Sequence, residues 1–215
     1  MTIKHISFDV WNTLIEANPA YALARNAIIA DYAFTTKERA AAIYKEVKKE
    51  LDADAERGVC GNTTDVWVKL GKALGMSLMS VSAMQRDCIE AFEEFPPFFN
   101  PDLRQALCEL NFFYDLSIKS NTNFIPGSVV AKAAGLNDVS FMFKHFSDTY
   151  QMCKPDPRFF LLTLDEKGMY DVEPGEILHV GDNMVCDLKC VDAGFNFWYV
   201  SSPQDLLNNL EQGAL

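Results

Sequence analysis

Residues 3–14 read IKHISFDVWNTL, a short apolar run that stops at an acidic residue. The run predicts a buried strand over residues 3–8, because Ile6 and Phe8 are apolar and the turn-forming Asn12 follows shortly. Asp9 then stands at the carboxyl end of a strand, which is where open α/β sheets bind their ligands. The segment therefore predicts the first strand of such a sheet and the start of its binding site.

Helix signals alone fill the chain from about residue 18 to residue 95. Asn18-Pro19 predicts a helix start with proline in the first helical position, and Thr35 and Ser82 each open a capping-box pattern. Two prolines at positions 96–97 stop the last of these helices. The stretch is therefore expected to form an all-helical unit.

Beyond residue 97 the predicted elements alternate between strands and helices. Strands are expected over residues 115–119, 141–146, 177–180 and 197–200, and helices between them over residues 126–135, 156–167 and 184–193. Alternation of this kind indicates a parallel sheet covered by helices. The predicted architecture is an α/β core built from residues 1–16 and 97–215, with a helical cap inserted over residues 17–96.

The composition favours a globular protein with a small-molecule partner. The chain has 215 residues, of which 49% are hydrophobic, and its formal charge is −11. Nucleic acids and anionic membranes both attract basic surfaces, so neither is an expected partner. No apolar run reaches the ~18 residues of a membrane span, and the first residues lack a signal-peptide pattern. The six cysteines include no Cys-x-x-Cys pair, so we expect reduced thiols in a cytoplasmic monomer or homodimer.

Polar residues follow the predicted strands at the points where they end. They are Asp9, the run Ser120-Asn121-Thr122, Lys154, and Asp182 with Asp187. Taken singly, each is an ordinary capping, turn or solvated residue. Because the carboxyl ends of parallel strands meet at one edge of the sheet, the set predicts three carboxylates, a hydroxyl and an ammonium in one cleft.

The segments that carry these residues resemble the four sequence motifs of the haloacid dehalogenase superfamily of hydrolases. Residues 9–14, DVWNTL, are similar to the first motif, Asp-x-Asp-Gly-Thr-Leu, and Ser120 matches the second. Residues 154–160, KPDPRFF, resemble the third motif, and residues 181–187, GDNMVCD, resemble the fourth. The likeness spans nearly the whole chain, and it implies a Rossmann-like parallel sheet with an inserted helical cap of the C1 type.

The resemblance implies catalytic and substrate-binding roles for several of these residues. Asp9 corresponds to a nucleophile that forms a covalent intermediate, and Lys154 to the cation that keeps this carboxylate ionised. The hydroxyl of Ser120 would bind a substrate oxygen, together with the backbone amides of Asn121 and Thr122.

The resemblance also implies a Mg²⁺ site. Its expected ligands are Asp9, the backbone carbonyl of Trp11, and Asp182, with Asp187 as a further ligand or a nearby hydrogen-bond acceptor. Trp11 and Thr13 of the first motif are expected to contact substrate as well.

Position 11 is the main departure from the family pattern. Phosphatases of the family carry there an aspartate that serves as general acid and then as general base, and an indole does neither. The dehalogenase branch carries an aromatic residue there, because halide leaves without a proton. Trp11 therefore indicates dehalogenation or weakened phosphatase activity, unless it only packs against the cap.

Asp182 favours the opposite conclusion, because the dehalogenase branch uses no metal and replaces this aspartate. Here three carboxylates, from Asp9, Asp182 and Asp187, face the single ammonium of Lys154. Close carboxylates in a cleft do not all stay ionised without compensation. The cluster therefore suits Mg²⁺, and protonation of one carboxyl is the alternative.

Three functions remain open at this stage. The preferred one is Mg²⁺-dependent hydrolysis of a small phosphorylated metabolite through an aspartyl intermediate. A 2-haloacid dehalogenase is the enzyme alternative, and a catalytically impaired protein that binds metal and phosphate is the third. Asn12, which replaces a glycine of the first motif, tolerates the left-handed backbone that the turn requires. In the cap, Arg25 and Arg39 are either solvated or bind an anionic group of the substrate.

Overall fold

A five-stranded parallel sheet forms the centre of the computed structural model, which describes residues 2–214. Its strands, with two short ones outside the sheet, are β1 (His5–Phe8), β2 (Ile15–Glu16), β3 (Phe98–Phe99), β4 (Asp115–Ser120), β5 (Phe143–Phe146), β6 (Ile177–Gly181) and β7 (Asn196–Tyr199). The order across the main sheet is β5-β4-β1-β6-β7, and all neighbours run parallel. The predicted α/β class is therefore confirmed.

The central strand β1 determines where the functional residues meet. Phe8 is in register with Ile118 of β4 and with Val180 of β6, so the three strands end at the same edge. The Asp9 amide donates to the Val180 carbonyl at 2.9 Å and continues this alignment by one residue. The chain fills one side of β1 with β4 and β5 and the other with β6 and β7, which makes this edge a topological switch point.

Helices cover the sheet and form a separate layer at its carboxyl edge. They are α1 (Pro19–Tyr32), α2 (Lys37–Glu56), α3 (Thr63–Ala73), α4 (Leu78–Glu94), α5 (Pro101–Leu110), α6 (Gly127–Ala133), α7 (Ser147–Tyr150), α8 (Pro157–Leu161) and α9 (Pro203–Glu211). Three 3₁₀ segments lie at Leu136–Asp138, Pro174–Glu176 and Leu188–Ala193. Within residues 2–214, none of the helices combines the length and the hydropathy that a membrane span requires.

Helices α1–α4, which we call the cap, follow one another between β2 and β3. They pack around an apolar cluster of their own that includes Ile29, Trp67, Leu70 and Met84, all fully buried. The expected all-helical insertion is therefore confirmed. The chain enters the cap after β2 and leaves it before β3, and these two short strands pair in antiparallel. The domain boundaries at 16/17 and 96/97 stay a prediction.

Two helix starts in the cap differ from those that the capping patterns predict. The residue that caps α2 is Thr36 rather than Thr35. Helix α4 begins after Ser77, so Ser82 lies inside the helix and donates its hydroxyl to a backbone carbonyl. The earlier start buries Val81 with the apolar face of the helix, and this burial outweighs a capping pattern that is only local. The start at Asn18 is as predicted.

Two predicted helices of the core are wrong in extent. The helix over residues 156–167 is reduced to α8, because the Phe159 carbonyl accepts from the buried Lys119 amine at 2.7 Å and the chain continues in tighter turns. The helix over residues 184–193 is a turn followed by a 3₁₀ segment. In that turn, Asn183 Oδ1 accepts from two of the backbone amides that follow it and offers them an alternative to helical bonds. The other core elements with predicted bounds agree with the structure to within two residues at each end, whereas α7 and α9 were not predicted.

Candidate active site

A buried ion-pair network lies at the carboxyl edge of the sheet, beyond β1. The Lys154 ammonium donates to Asp9 Oδ1 and to Asp187 Oδ1, each at 2.5 Å. The side chains of Lys154, Asp9 and Asp187 are 3%, 10% and 0% exposed, respectively. The structure thus brings together three of the predicted site residues, which come from separate segments of the sequence.

Burial and ion pairing shift the pKa values of this network in opposite directions. Burial acts to raise the pKa of Asp187, but Lys154 and His179 outweigh it and hold that pKa below its ordinary value. Burial acts to lower the pKa of Lys154, and the two carboxylates raise it above its ordinary value. For Asp9 burial outweighs Lys154, and the pKa rises to about 7. One ammonium therefore compensates Asp187 fully and Asp9 only in part.

Asp182 follows β6 and lies beside this network. Its Oδ2 accepts from Asn12 Nδ2 at 3.1 Å, and burial raises its pKa. Asn12 has a left-handed φ of 57°, so it maintains the turn in place of glycine, as predicted. Carboxylate oxygens of Asp9, Asp182 and Asp187 lie within 4.8 Å of one another. Such an oxygen-rich cluster is of the kind that binds a hard divalent cation.

The carboxylate of Asp187 is oriented by its surroundings on both oxygens. Besides Lys154, His179 Nε2 contacts Oδ1 at 3.1 Å, and the Asn183 amide donates to Oδ2 at 2.9 Å. A Cβ on Gly181 would meet Oδ2 at 2.3 Å, so only glycine fits beside this carboxylate. Both oxygens of Asp187 are therefore already engaged by protein donors.

Sequence reasoning missed His179, which supports the network from within β6. Burial lowers its pKa, so the imidazole is neutral and carries one N–H. If Nε2–H donates to Asp187, Nδ1 is left to accept from the Ser7 hydroxyl at 3.1 Å. A polar residue in the otherwise apolar run before Gly181 was a signal in the sequence, but its partners are visible only in the structure.

The residues that follow β4 are engaged to different degrees. Asn121 holds the Lys154 loop, since its Nδ2 donates to the Lys154 carbonyl at 2.8 Å and its Oδ1 accepts from the Lys154 amide at 2.9 Å. The Thr122 amide, which was expected to bind substrate, already donates to Ser147 Oγ at 2.8 Å. The Ser120 side chain is buried, and its hydroxyl makes one long bond of 3.4 Å to the Asn121 carbonyl. Ser120 is thus the weakly engaged donor of the run.

A cavity of about 560 Å³ opens over the network, between the sheet and the cap. The predicted site residues that line it are Asp9, Trp11, Asn121, Thr122, Lys154, Asp182 and Asp187. Trp11 both lines the cavity and packs edge-on against Phe92 of α4, with ring centroids 6.5 Å apart. Two residues of the set, Ser120 and Thr13, are not part of the cavity lining, since both side chains are buried beneath it. The Thr13 hydroxyl has no partner within residues 2–214.

The structure thus has a parallel sheet, a buried carboxylate–lysine pair at its carboxyl edge and a helical cap above them. This is the architecture of a capped hydrolase with a Rossmann-like core. The chain belongs to the haloacid dehalogenase-like hydrolases, a family whose pattern matches residues 3–190. The protein is therefore a hydrolase of this family, as the sequence motifs predict. No curated protein matches the chain in sequence.

Solved structures with the same fold include both phosphatases and dehalogenases. The hydrolase YfnB from Bacillus subtilis, solved bound to magnesium, has a TM-score of 0.76 at 16% identity, over 98% of this chain and 100% of that one. A phosphatase from Thermococcus onnurineus has a TM-score of 0.63 at 20% identity, over 92% and 86%. A 2-haloacid dehalogenase from Pseudomonas syringae has a TM-score of 0.64 at 18% identity, over 99% and 100%. At these identities the likeness shows the fold alone.

Proposed function

We propose that the protein hydrolyses a small phosphorylated metabolite in a Mg²⁺-dependent reaction through a covalent intermediate on Asp9. The observation that carries this proposal is the charge balance of the site. The carboxylates of Asp9, Asp182 and Asp187 lie together, and the one ammonium among them is that of Lys154. Burial raises the pKa of Asp9 because Lys154 compensates its charge only in part, and a divalent cation would supply the remaining compensation.

The residues that would hold Mg²⁺ are Asp9 and Asp182, with the backbone carbonyl of Trp11. Oxygens of this kind are the hard donors that the ion prefers. Asn12 binds Oδ2 of Asp182 and leaves Oδ1 for the metal. When bound, Mg²⁺ would neutralise charge on the phosphoryl oxygens.

Asp187 is proposed to act through Lys154 and to leave the metal to the other two carboxylates. Its Oδ1 accepts from Lys154 and contacts His179, and its Oδ2 accepts from a backbone amide. A carboxylate held in this way keeps Lys154 charged and fixes the position of its ammonium beside Asp9.

The covalent step would use the carboxylate oxygen of Asp9 that Lys154 does not bind. Because Lys154 binds Oδ1, the proposed nucleophile is Oδ2, which forms a bond to phosphorus as the bond to the leaving oxygen breaks. Water then hydrolyses the aspartyl phosphate and restores the carboxylate. The Ser120 hydroxyl and the Asn121 amide are the donors proposed for the phosphoryl oxygens.

Trp11 restricts the leaving group in this proposal. A positioned general acid contributes roughly a hundred- to ten-thousandfold in rate, and an indole cannot act as one. Alkoxides need that proton, whereas phenolates and carboxylates leave without it. The proposed substrates are therefore aryl or acyl phosphates rather than sugar phosphates.

2-Haloacid dehalogenation is the second candidate, and Trp11 is the observation that favours it. Halide leaves without a proton, so this reaction does not need a general acid at position 11. Asp9 would then attack carbon instead of phosphorus, and the acidic cluster would need no metal if one of its carboxyls is protonated.

A substrate panel with and without chelator tests these proposals. We expect 4-nitrophenyl phosphate and acetyl phosphate to be hydrolysed with Mg²⁺, and EDTA or Asp9→Asn to abolish the reaction. Halide release from 2-chloropropionate that persists in EDTA would instead identify a dehalogenase. The impaired binding protein would show no turnover, while Mg²⁺ raises the melting temperature of the native protein and not that of Asp182→Ala.

A small-molecule substrate fits the size of the site. The cavity of about 560 Å³ lies within the roughly 300–1,000 Å³ that is ordinary for ligand pockets. The cytoplasmic location and the monomeric or homodimeric state stay predictions from the sequence.

A further inference from the structure

The cavity over Asp9 extends to an arginine of the cap, Arg25 of α1. Its guanidinium carbon lies 3.6 Å from the centroid of the Tyr44 ring and 5.6 Å from that of the Tyr21 ring. Two of its N–H groups donate to Asn26 Oδ1, from Nε at 3.2 Å and from Nη2 at 2.9 Å. These contacts hold the planar cation in one orientation and leave its charge unneutralised.

Arg25 is the unneutralised cation in the part of the cavity wall that the cap provides. It forms no ion pair within residues 2–214, whereas Lys48, the other cap cation in the wall, is paired with Asp52 at 2.6 Å. Glu56 also belongs to the wall, but its side chain is exposed, so water screens its charge. The wall therefore offers a cation for an anion that the protein itself does not provide.

Tyr21, which lines the same part of the cavity, contributes a second unused donor. Its hydroxyl is buried and has no hydrogen-bond partner within the described residues. Such groups are rare in folded proteins and need an explanation. Burial raises the pKa of Tyr21 well above its ordinary value, so the hydroxyl keeps its proton and can donate. Tyr21 therefore lacks an acceptor and Arg25 lacks an anionic partner, and one anionic group of a ligand would supply both.

We propose that the Arg25–Tyr21 end of the cavity binds a carboxylate of the substrate. The inference rests on the proposed function, in which the phosphoryl group of the same molecule binds at Asp9. A guanidinium matches a carboxylate in geometry and is only weakly hydrated, so it is suited to an ion pair inside a cavity.

The wall between the two ends indicates the body of the substrate. One side of it is aromatic, since Trp11 packs on Phe92 and Phe92 packs edge-on to Tyr21, with ring centroids 6.5 Å and 5.0 Å apart. Aromatic walls favour flat, apolar bodies over hydroxyl-rich ones. The substrate class is thus the phosphate of a phenol or a related flat acid that also bears a carboxylate, and its phenolate leaves without the general acid that Trp11 cannot supply.

A matched pair of substrates tests the inference. The test compares kcat/KM for 4-carboxyphenyl phosphate and phenyl phosphate, with Mg²⁺, in the native protein, Arg25→Met and Arg39→Met. Arg39 is the control because it is an exposed arginine of the cap outside the cavity. We expect Arg25→Met to lower the preference for the carboxylated substrate by about ten- to a hundredfold, mainly through KM, as loss of a charged hydrogen bond does. Arg39→Met should keep the native preference, and Tyr21→Phe should reduce it less than Arg25→Met.

Equal preferences in the native protein and in Arg25→Met would overturn the inference. If neither phosphate is hydrolysed, the proposed function fails, and calorimetric titration with benzoate decides the inference separately. Benzoate binding that is lost in Arg25→Met and kept in Arg39→Met supports it, and no binding to the native protein contradicts it. If Arg25→Met does not fold, Arg25→Lys replaces it, and the single ammonium should give a loss in the same direction.

Discussion

Two buried lysines, one at the edge of the sheet and one within it, have pKa values that are shifted in opposite directions. Lys154 donates to two carboxylates, and its pKa lies above the ordinary value although burial opposes this. Lys119 is fully buried and contacts His145 Nδ1 at 2.8 Å and the Phe159 carbonyl at 2.7 Å. Burial, together with the charge of Lys154, holds its pKa well below the ordinary value. Burial is nearly the same at both sites, so the partners decide the direction in which each lysine pKa is shifted.

The surroundings of Lys119 form a neutral layer below the charged network. Burial and the proximity of Lys119 lower the pKa of His5 to about 3 and that of His145 to about 4. His145 Nε2 contacts Glu166 Oε1 at 2.9 Å, so Nδ1 is left to accept from the Lys119 amine. The buried ion pairs therefore lie at the edge of the sheet, and the two histidines of the layer beneath them are neutral.

Lys154→Met should have the largest effect of the substitutions that test this comparison. It leaves Asp9 and Asp187 buried without their ammonium, and breaking a buried pair in this way costs about 3–5 kcal/mol. Urea denaturation at pH 7.5 without Mg²⁺ measures the loss, and hydrolysis should disappear as well. A loss below about 1 kcal/mol would show that the ion pair is not desolvated, contrary to its burial in the structure.

Gly181→Ala should have the next largest effect on the free energy of unfolding. The new Cβ would lie 2.3 Å from Asp187 Oδ2, so the carboxylate must move away from Lys154 or the strand must shift. Overpacking of this kind costs about 1–3 kcal/mol, and kcat should fall with stability because Lys154 loses its partner. Gly61→Ala is the control for the substitution itself, since Gly61, like Gly181, has no left-handed φ and its new Cβ would meet nothing closer than 3.9 Å. An unchanged kcat in a folded Gly181→Ala variant would show that Lys154 functions without the contact to Asp187.

Acid should destabilise the neutral layer before it affects Asp187. The pKa of His145 is about 4 in the folded protein against 6.5 for an unperturbed histidine, so the unfolded chain binds the proton first. The folded state therefore loses stability as the pH falls from about 6.5 towards 4, and we expect a loss of about 3 kcal/mol from this residue. The measurement is the difference in unfolding free energy between the native protein and His145→Gln at pH 7 and at pH 4. A difference that does not depend on pH would mean that His145 takes up its proton at the same pH in the folded and unfolded states, contrary to the lowered pKa.

Lys119→Met should have the smallest effect on stability. The native protein already bears the cost of keeping this amine neutral, and methionine removes that cost while it leaves His145 Nδ1 and the Phe159 carbonyl without a donor. The two terms oppose each other, so the unfolding free energy should stay within about 1 kcal/mol of the native value at pH 7.5. A loss as large as that of Lys154→Met would show that Lys119 is charged and that the pKa values of the two lysines are not shifted in opposite directions.

The sequence alone determined the fold class, the order of the strands along the chain and which residues lie together at the carboxyl edge of the sheet, whereas their catalytic roles stay a prediction. The reason is that these features have local signals: apolar runs that stop at Asp9, Ser120 and Asp182, and motifs of fixed spacing around Lys154. The alternation of strands and helices after residue 97 was enough to predict the parallel sheet. The all-helical stretch before it was enough to predict the cap, although not the positions of Thr36 and Ser77 as caps.

Tertiary contacts decided what local signals could not. Lys154 meets Asp9 across 145 positions of the chain, and His179 meets Ser7 across 172, so no local pattern shows either pair. No local pattern shows the early end of α8 either, because it depends on the hydrogen bond that Lys119 donates to the Phe159 carbonyl. Side-chain direction, such as that of Arg25 into the cavity, also depends on how the cap packs over the sheet, because a helical pattern gives the face of a residue but not what lies opposite it.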